Sequence, residues 1–339
     1  MTQRLKKILA GVSAAVFLFS ATGCGSVSGG SSGNTETGKK TDVRIAYFPN
    51  ITHTQALIMK NQGWLEEKWR DTGNVKWTSF NAGPAEIEAI FAGEIDIGYI
   101  GPVPALSANV KSNGEVKILS NATDAGAVFL RRKDSGIQSV KDLTGKKVAV
   151  PQIGNTQHLC LLGLLHASGL QTADKGGNVN VSASSNADIL NLMDHARLDA
   201  AFVPEPWGAT IEAKGSADVF LDYDEVFMEG NYPSALVVVS TDFLDEHPEM
   251  VKEFLQAHEE ATRYINENSG RAQDIVNKEL LQTTGKSIDA AILKKAFARM
   301  KVNASLNKDA IMAFAKLSQE EGFINRVPEV EDVFADQIR

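Results

Sequence analysis

Three features of the sequence predict an α/β fold. Short apolar runs of strand length recur between residues 42 and 240, and amphipathic stretches of about ten to fifteen residues separate several of them. Strand, helix, strand in this rhythm argues for parallel sheets covered by helices. The third feature is length. At 339 residues the chain exceeds the roughly 250–300 at which one hydrophobic core stops growing, so more than one compact unit is expected.

The expected strands are Val43–Phe48, Val75–Phe80, Ile95–Ile100, Val116–Ser120, Lys147–Val150, Val179–Ala183, Leu198–Val203 and Ala235–Ser240. Between them, Pro84 to Ala92 places Ile87, Ile90 and Phe91 on one helical face, and Gly93 follows as a stop. Ile189, Leu192, Met193 and Ala196 repeat the spacing. After Ser240 the pattern changes. Pro248 opens a long helix carrying Val251, Phe254, Leu255 and Ile265, and helical segments continue to the end with no further strand expected.

Composition excludes several classes. With 43% apolar and 22% charged residues, the chain is neither disordered nor fibrous. Net charge is −8 and no Lys/Arg-rich block occurs, so nucleic acid is not an expected partner. The two cysteines cannot form a disulfide framework. Cys160 lies in the apolar run Leu159–Leu165 and reads as a buried, inert thiol.

The amino terminus reads as an address. Arg4, Lys6 and Lys7 precede an apolar run from Ile8 to Phe19, which is shorter than the roughly 20 residues that span a bilayer. Ala21-Thr22-Gly23-Cys24 looks like a bacterial lipobox, with Ala21 where leucine is commonest. That resemblance implies a signal peptide over 1–23, lipidation of Cys24 and a chain anchored outside the cell membrane by lipid alone. Residues 24–41, rich in Gly and Ser, are then a flexible linker.

In open α/β sheets, solutes bind beyond the carboxyl ends of the strands. Here that rule selects Pro49 to Thr54, Asn81 to Pro84, Gly101 to Pro104, Pro151 to His158, Ser184 to Asn186, and Pro204 to Trp207. Several of these loops combine Gly for close approach, Pro at a first helical position, and Asn, Ser or Thr as caps. Each helix start presents N–H groups and a partial positive charge to an anion, worth roughly 0.3–1 kcal/mol when exposed and up to about 2 when partly buried. A micromolar solute needs about −8 kcal/mol, so several starts and an apolar wall must converge. His53 and His158 are candidates to donate to an oxyanion, although His158 suits the core equally. Trp207 and Tyr232 are candidate apolar walls, and Glu205 either accepts from an amine or pairs with a cation across the cleft. His195, His247 and His258 fall on helical patterns and read as structural. No Gly-x-Ser-x-Gly elbow, His-Glu-x-x-His pair or Gly-x-Gly-x-x-Gly fingerprint is present. Gly285-Lys286-Ser287 mimics the end of a phosphate loop, but Leu280 stands where its first Gly is required. The histidines are too scattered for a metal cluster, and neither an enzyme nor a cofactor is expected.

Three segments in order, "AIFAGEIDIGYIGPVPAL" (89–106), "VAVPQIGNTQHLCLLGLLHASGL" (148–170) and "LDAAFVPEPW" (198–207), resemble the substrate-binding proteins of nitrate/sulfonate/taurine ABC transporters. The resemblance runs from about Asp42 to Phe254. It implies a two-lobed periplasmic-binding-protein (type II) fold, each lobe a mainly parallel sheet flanked by helices. Lobe I would hold 42–125 and 241–339, lobe II 133–234, with hinge strands at 126–132 and 235–240. The family's solute loops fall on Asn50, His53, Gly83, Pro84, Gly101, Pro102, Asn155, Thr156, Gln157, His158, Glu205 and Trp207. Pro102 replaces an acid that many members carry, which removes an obvious partner for a solute amine. With no Lys or Arg in these loops, an organosulfonate such as an alkanesulfonate or taurine-like compound is the expected solute, its carbon tail on Tyr99, Trp207 or Tyr232. The expected partners are that small organic anion and an ABC permease with its ATPase, for a monomeric protein. Nitrate, bicarbonate or a thiamine-precursor pyrimidine is the alternative solute, and a sensor protein the alternative partner.

Overall fold

The computed structural model describes residues 40–338. The expected signal peptide, the lipidated Cys24 and nearly all of the linker lie outside the described residues. The chain begins with β1 (Thr41–Tyr47), α1 (Thr54–Gln62), α2 (Trp64–Lys68), β2 (Gly73–Ser79), α3 (Gly83–Phe91), β3 (Ile97–Ile100), α4 (Pro102–Lys111) and β4 (Val116–Ala125). It continues through β5 (Ala127–Arg132), β6 (Lys147–Val150), α5 (Thr156–Ala167), β7 (Asn180–Ala183), α6 (Asn186–Asp194), β8 (Ala200–Pro204), α7 (Trp207–Lys214) and β9 (Ala217–Leu221). After β10 (Pro233–Ser240) come α8 (Thr241–Glu246), α9 (Pro248–Glu267), α10 (Ser269–Thr284) and α11 (Ala290–Phe297). Then follow β11 (Met300–Val302), α12 (Lys308–Glu320) and α13 (Val330–Val333).

Two sheets result. One has the order β11-β4-β10-β3-β1-β2, the other β7-β6-β8-β5-β9. The α/β class therefore holds, and most strands of each sheet point one way, four of the six in the first and four of the five in the second. β1 pairs in parallel with β2 and β3, whereas β10 runs antiparallel to both β3 and β4, and β11 to β4. In the second sheet β6 is parallel to β7 and β8, while β5 is antiparallel to β8 and β9. The strands that run against the rest are β10 and β11 in the six-stranded sheet and β5 in the five-stranded one. Gly126 alone separates β4 from β5. Its φ of +76° lies in the left-handed region, where only glycine is at ease. The return passes over residues 222–232 into β10. β5 lies wholly in the five-stranded sheet and β10 wholly in the six-stranded one.

Strand β11 corrects the expectation that no strand follows Ser240. Met300-Lys301-Val302 is too short to show a period, and its pairing with Thr123–Ala125 is a tertiary contact that local sequence does not encode. β9 was likewise not expected.

Both faces of the inner strands β3 and β10 are buried, which explains their near-continuous apolar runs. Val43, Ile45 and Tyr47 of β1 pack with Leu57, Phe254 and Val276 of α1, α9 and α10, whereas Ala46 faces Ile87, Ile90 and Leu106 of α3 and α4. Pro248 is at the first position of α9, and Val251, Phe254, Leu255, Ala261 and Ile265 form its buried stripe. The core on the Ala46 side continues onto the five-stranded sheet, where Phe129 and Phe202 stack with ring centroids 5.6 Å apart and no exposed surface. Truncation of Phe202 to Ala should therefore lower unfolding free energy by about 3–5 kcal/mol. Urea unfolding followed by circular dichroism reads this directly, and a loss below about 1 kcal/mol would contradict such packing.

Candidate functional site

The carboxyl ends of β1, β2 and β3 face those of β6, β7 and β8 across a cavity of about 40 Å³. Phe48, Asn50, Thr52 and His53 line it from the loop after β1, Asn81, Ala82 and Gly83 from the loop after β2, and Gly101 with Pro104 from the start of α4. Pro151, Asn155, Thr156 and Gln157 come from the loop after β6, Asn186 from the start of α6, and Pro204 from the end of β8. Ser234 completes it from β10. No lining residue bears a Lys, Arg, Asp or Glu side chain.

Local sequence fixes these loops before any solute arrives. Asn50 accepts from the Thr52 backbone N–H at 3.0 Å and from its hydroxyl at 2.6 Å. Asn155 caps α5 by accepting from the His158 N–H at 2.8 Å. The N–H groups of Thr156 and Gln157, earlier in the same turn, have no intrahelical acceptor. α3 starts with Pro84 in its first turn and no side-chain cap. α4 is likewise uncapped by a side chain, behind Gly101. The two sets of loops approach closely at Gly101. A Cβ there would sit 2.5 Å from Thr156 Oγ1, so only glycine admits this contact. Thr156 is 4% exposed and its hydroxyl has no hydrogen-bond partner among the described residues. A buried hydroxyl left so costs roughly 1–3 kcal/mol, which a bound acceptor would recover.

His53 supplies a donor of a different kind. Its Nδ1 accepts from the Phe48 N–H at 3.1 Å, and its ring stacks on Phe48 with centroids 4.5 Å apart. The proton of the neutral ring therefore resides on Nε2. Burial lowers the pKa to about 3. At neutral pH His53 is therefore an uncharged hydrogen-bond donor.

The structure brings Asn50, His53, Gly83, Gly101, Asn155, Thr156 and Gln157 together and places the remaining candidates elsewhere. Pro84 and Pro102 lie in the first turns of α3 and α4, outside the lining. His158 turns away. Its Nδ1 accepts from the Gly154 N–H at 3.2 Å, its ring stacks on Phe323 with centroids 5.3 Å apart, and burial lowers its pKa to about 4. Tyr99 is buried against α9, its hydroxyl 2.7 Å from His258 Nδ1. Tyr232 is buried edge-on to Phe227 and Phe314, and Trp207 packs against the outer core of the five-stranded sheet. The expected aromatic platform for a solute tail is thus structural core. Glu205 is fully buried and paired with Arg299, with Nη1–Oε1 at 2.9 Å. Of its two readings, pairing with a protein cation is the one realised. Ser234 was missed because it enters the cavity from the returning strand, far from any helix start.

Comparison with known proteins gives a consistent result. The model of the NMT1-like family matches residues 36–278. A putative aliphatic sulfonates-binding protein of Bacillus subtilis (strain 168) is 27% identical over 274 residues, covering 80% of this chain and 77% of the relative. The taurine-binding periplasmic protein of Escherichia coli (strain K12) is 30% identical over 184 residues, 54% of this chain and 55% of its own. Among solved structures, the alkanesulfonate-binding protein SsuA from Xanthomonas axonopodis pv. citri bound to MOPS aligns with a TM-score of 0.70 at 21% identity, covering 88% of this chain and 98% of that one. The periplasmic nitrate-binding protein NrtA from Synechocystis PCC 6803 aligns with 0.69 at 14% identity, covering 88% and 87%. The structural likenesses establish a periplasmic-binding-protein fold.

The histidine assignment has a pH signature. A group whose folded pKa lies below its unfolded value binds more protons when unfolded, so its stabilising contribution is complete above the unfolded value and is lost as pH falls. For His53 that window runs from 6.5 down to about 3. The urea midpoint should fall across it, and His53→Gln should show a shallower fall than the parent. An identical slope in the two proteins would contradict a buried neutral imidazole.

Proposed function

The chain belongs to the NMT1-like family, and from that premise we propose that it is the solute-binding component of an ABC importer, taking up a small organic anion between its two sheets. An alkanesulfonate or taurine-like compound is the solute class that fits best. The observation that carries this reading is the cavity itself, which has converging neutral donors from both sheets and no charged lining side chain. A sulfonate spreads one negative charge over three oxygens, and hydroxyl, imidazole and backbone N–H donors match it without a fixed cation. Hydrogen bonds to a charged group contribute about 1.5–3 kcal/mol each, so a few of them reach the roughly −8 kcal/mol of a micromolar complex. The names of the relatives from Bacillus and Escherichia point the same way.

The aromatic residues expected to carry a carbon tail are committed to the core, so a short tail would lie on Phe48, Pro104, Pro151 and Pro204. Capture without chemistry is the reading for this site. His53 is the one titratable lining side chain, and with a pKa of about 3 it does not exchange a proton near neutral pH. In this proposal residues 42–125 with 241–339 form one lobe and 133–234 the other, and the lobes close on the solute. The protein is monomeric and extracytoplasmic, held by lipid on Cys24, and hands its cargo to a membrane permease with its ATPase.

Calorimetric titration of the protein with taurine, short alkanesulfonates, nitrate, bicarbonate and a pyrimidine tests this. A short sulfonate should bind in the micromolar range, and Thr156→Val should weaken it by roughly tenfold to a hundredfold while the protein still melts cooperatively. Tight nitrate or pyrimidine binding with no response to any sulfonate would overturn the solute class, and unchanged affinity in the Thr156 variant would remove that loop from the site.

A further inference from the structure

Outside the cavity, a heavily bonded group of charges among the described residues surrounds the point where the chain first changes sheets. The Gly126 N–H donates to the Arg299 carbonyl at 2.9 Å, and the Gly126 carbonyl accepts from the Glu205 N–H at 2.8 Å. The side chains of those same two residues meet, with Arg299 Nη1 2.9 Å from Glu205 Oε1. Arg299 also reaches Glu212 Oε2 at 2.8 Å and, through Nε, Asp222 Oδ1 at 3.3 Å. Lys295 meets Glu212 from the solvent side at 2.9 Å. The cations come from the carboxy-terminal segment that supplies β11 to the six-stranded sheet. The acids come from the residue after β8, from α7 and from the residue after β9, around the five-stranded sheet. One arginine therefore ties the two sheets together beside the residue that joins them.

This cluster touches the cavity from behind. A Cβ on Gly126 would lie 3.3 Å from Thr52 Cγ2. The Thr52 carbonyl accepts from the Thr123 hydroxyl at 2.8 Å, and the Ser234 hydroxyl donates to the Thr123 carbonyl at 3.2 Å. Thr52 and Ser234 line the cavity, as does Pro204, the residue before Glu205. Glu205 is fully buried and Arg299 is 7% exposed. Buried ion pairs are weak sources of net stability, because desolvation offsets the attraction, whereas their geometry is demanding. Registration of two rigid parts is a use that such geometry serves.

We propose that Arg299 and Glu205 are positioning residues, whose ion pair pins the two sheets in the register at which Thr156 and His53 donate to a single solute. This rests on the solute-capture reading above. Without the pin the protein folds but spends less time in the competent register, and apparent affinity drops by the fraction lost.

The test is the double variant Arg299→Met with Glu205→Leu, which removes both charges and keeps apolar bulk, so it folds even where either single variant fails. Amide exchange at Gly126 and Ala209, whose N–H groups contact Arg299 O and Glu205 Oε2, is read without solute. Affinity for a short alkanesulfonate is read by calorimetry. The expected result is a melting temperature near that of the parent, faster exchange at both amides and roughly tenfold weaker binding. Asp222→Asn, at the half-exposed edge, should bind like the parent. Unchanged exchange would overturn the pin, and faster exchange with unchanged affinity would overturn its role in positioning. If no sulfonate binds the parent, the solute reading has failed, and the exchange measurement alone still decides whether the pair pins the sheets.

Discussion

The cavity depends on the contact between Gly101 and Thr156. The six-stranded sheet delivers one and the five-stranded sheet the other, and they approach so closely that a methyl group on residue 101 would clash with the threonine hydroxyl. That approach turns two separate sets of helix starts into one cavity. Each start alone offers an anion only a fraction of what micromolar binding requires, and the fold brings several of them to a single point.

Placement of charge follows from the same constraint. A cation inside so small a space would need its own compensation when the site is empty, and burial would carry a steep desolvation cost. The protein uses neutral donors instead. His53 is held uncharged by burial, with the Phe48 N–H occupying its acceptor nitrogen, so its remaining proton sits on Nε2 in a defined tautomer. Charge is concentrated at the crossing between sheets, where burial pulls the Glu205 carboxyl up while the Ala209 N–H and Arg299 pull it back down. Electrostatic strength thus serves the frame, and hydrogen bonding serves the cavity.

Much of this was legible in the sequence because it is local. Asn155 caps the helix it was expected to cap, Pro248 opens α9 as its spacing requires, and the loops selected by the strand-end rule supply nearly all of the cavity. Side-chain direction was harder to read. Tyr99 and Ile100 are neighbours on a strand with both faces buried, so alternation alone does not show which face meets α9 and which meets α4. Trp207 closes the strand-end loop and opens α7, so its turn into the outer core depends on how α7 begins. Ser234 and Arg299 left no local signal, because both reach their places through the long return of the chain. Arg299 meets Glu205 across 94 positions of sequence.

The most direct test is nitrogen-15 NMR of the histidine rings, with and without a short alkanesulfonate. The account predicts that His53 carries its proton on Nε2 from pH 8 down to at least pH 5, on the order of two units above its folded pKa, and that this proton's resonance moves when solute binds. A His53 imidazolium at neutral pH, or a ring signal indifferent to a solute that calorimetry shows to be bound, would contradict a cavity that holds its anion with neutral donors.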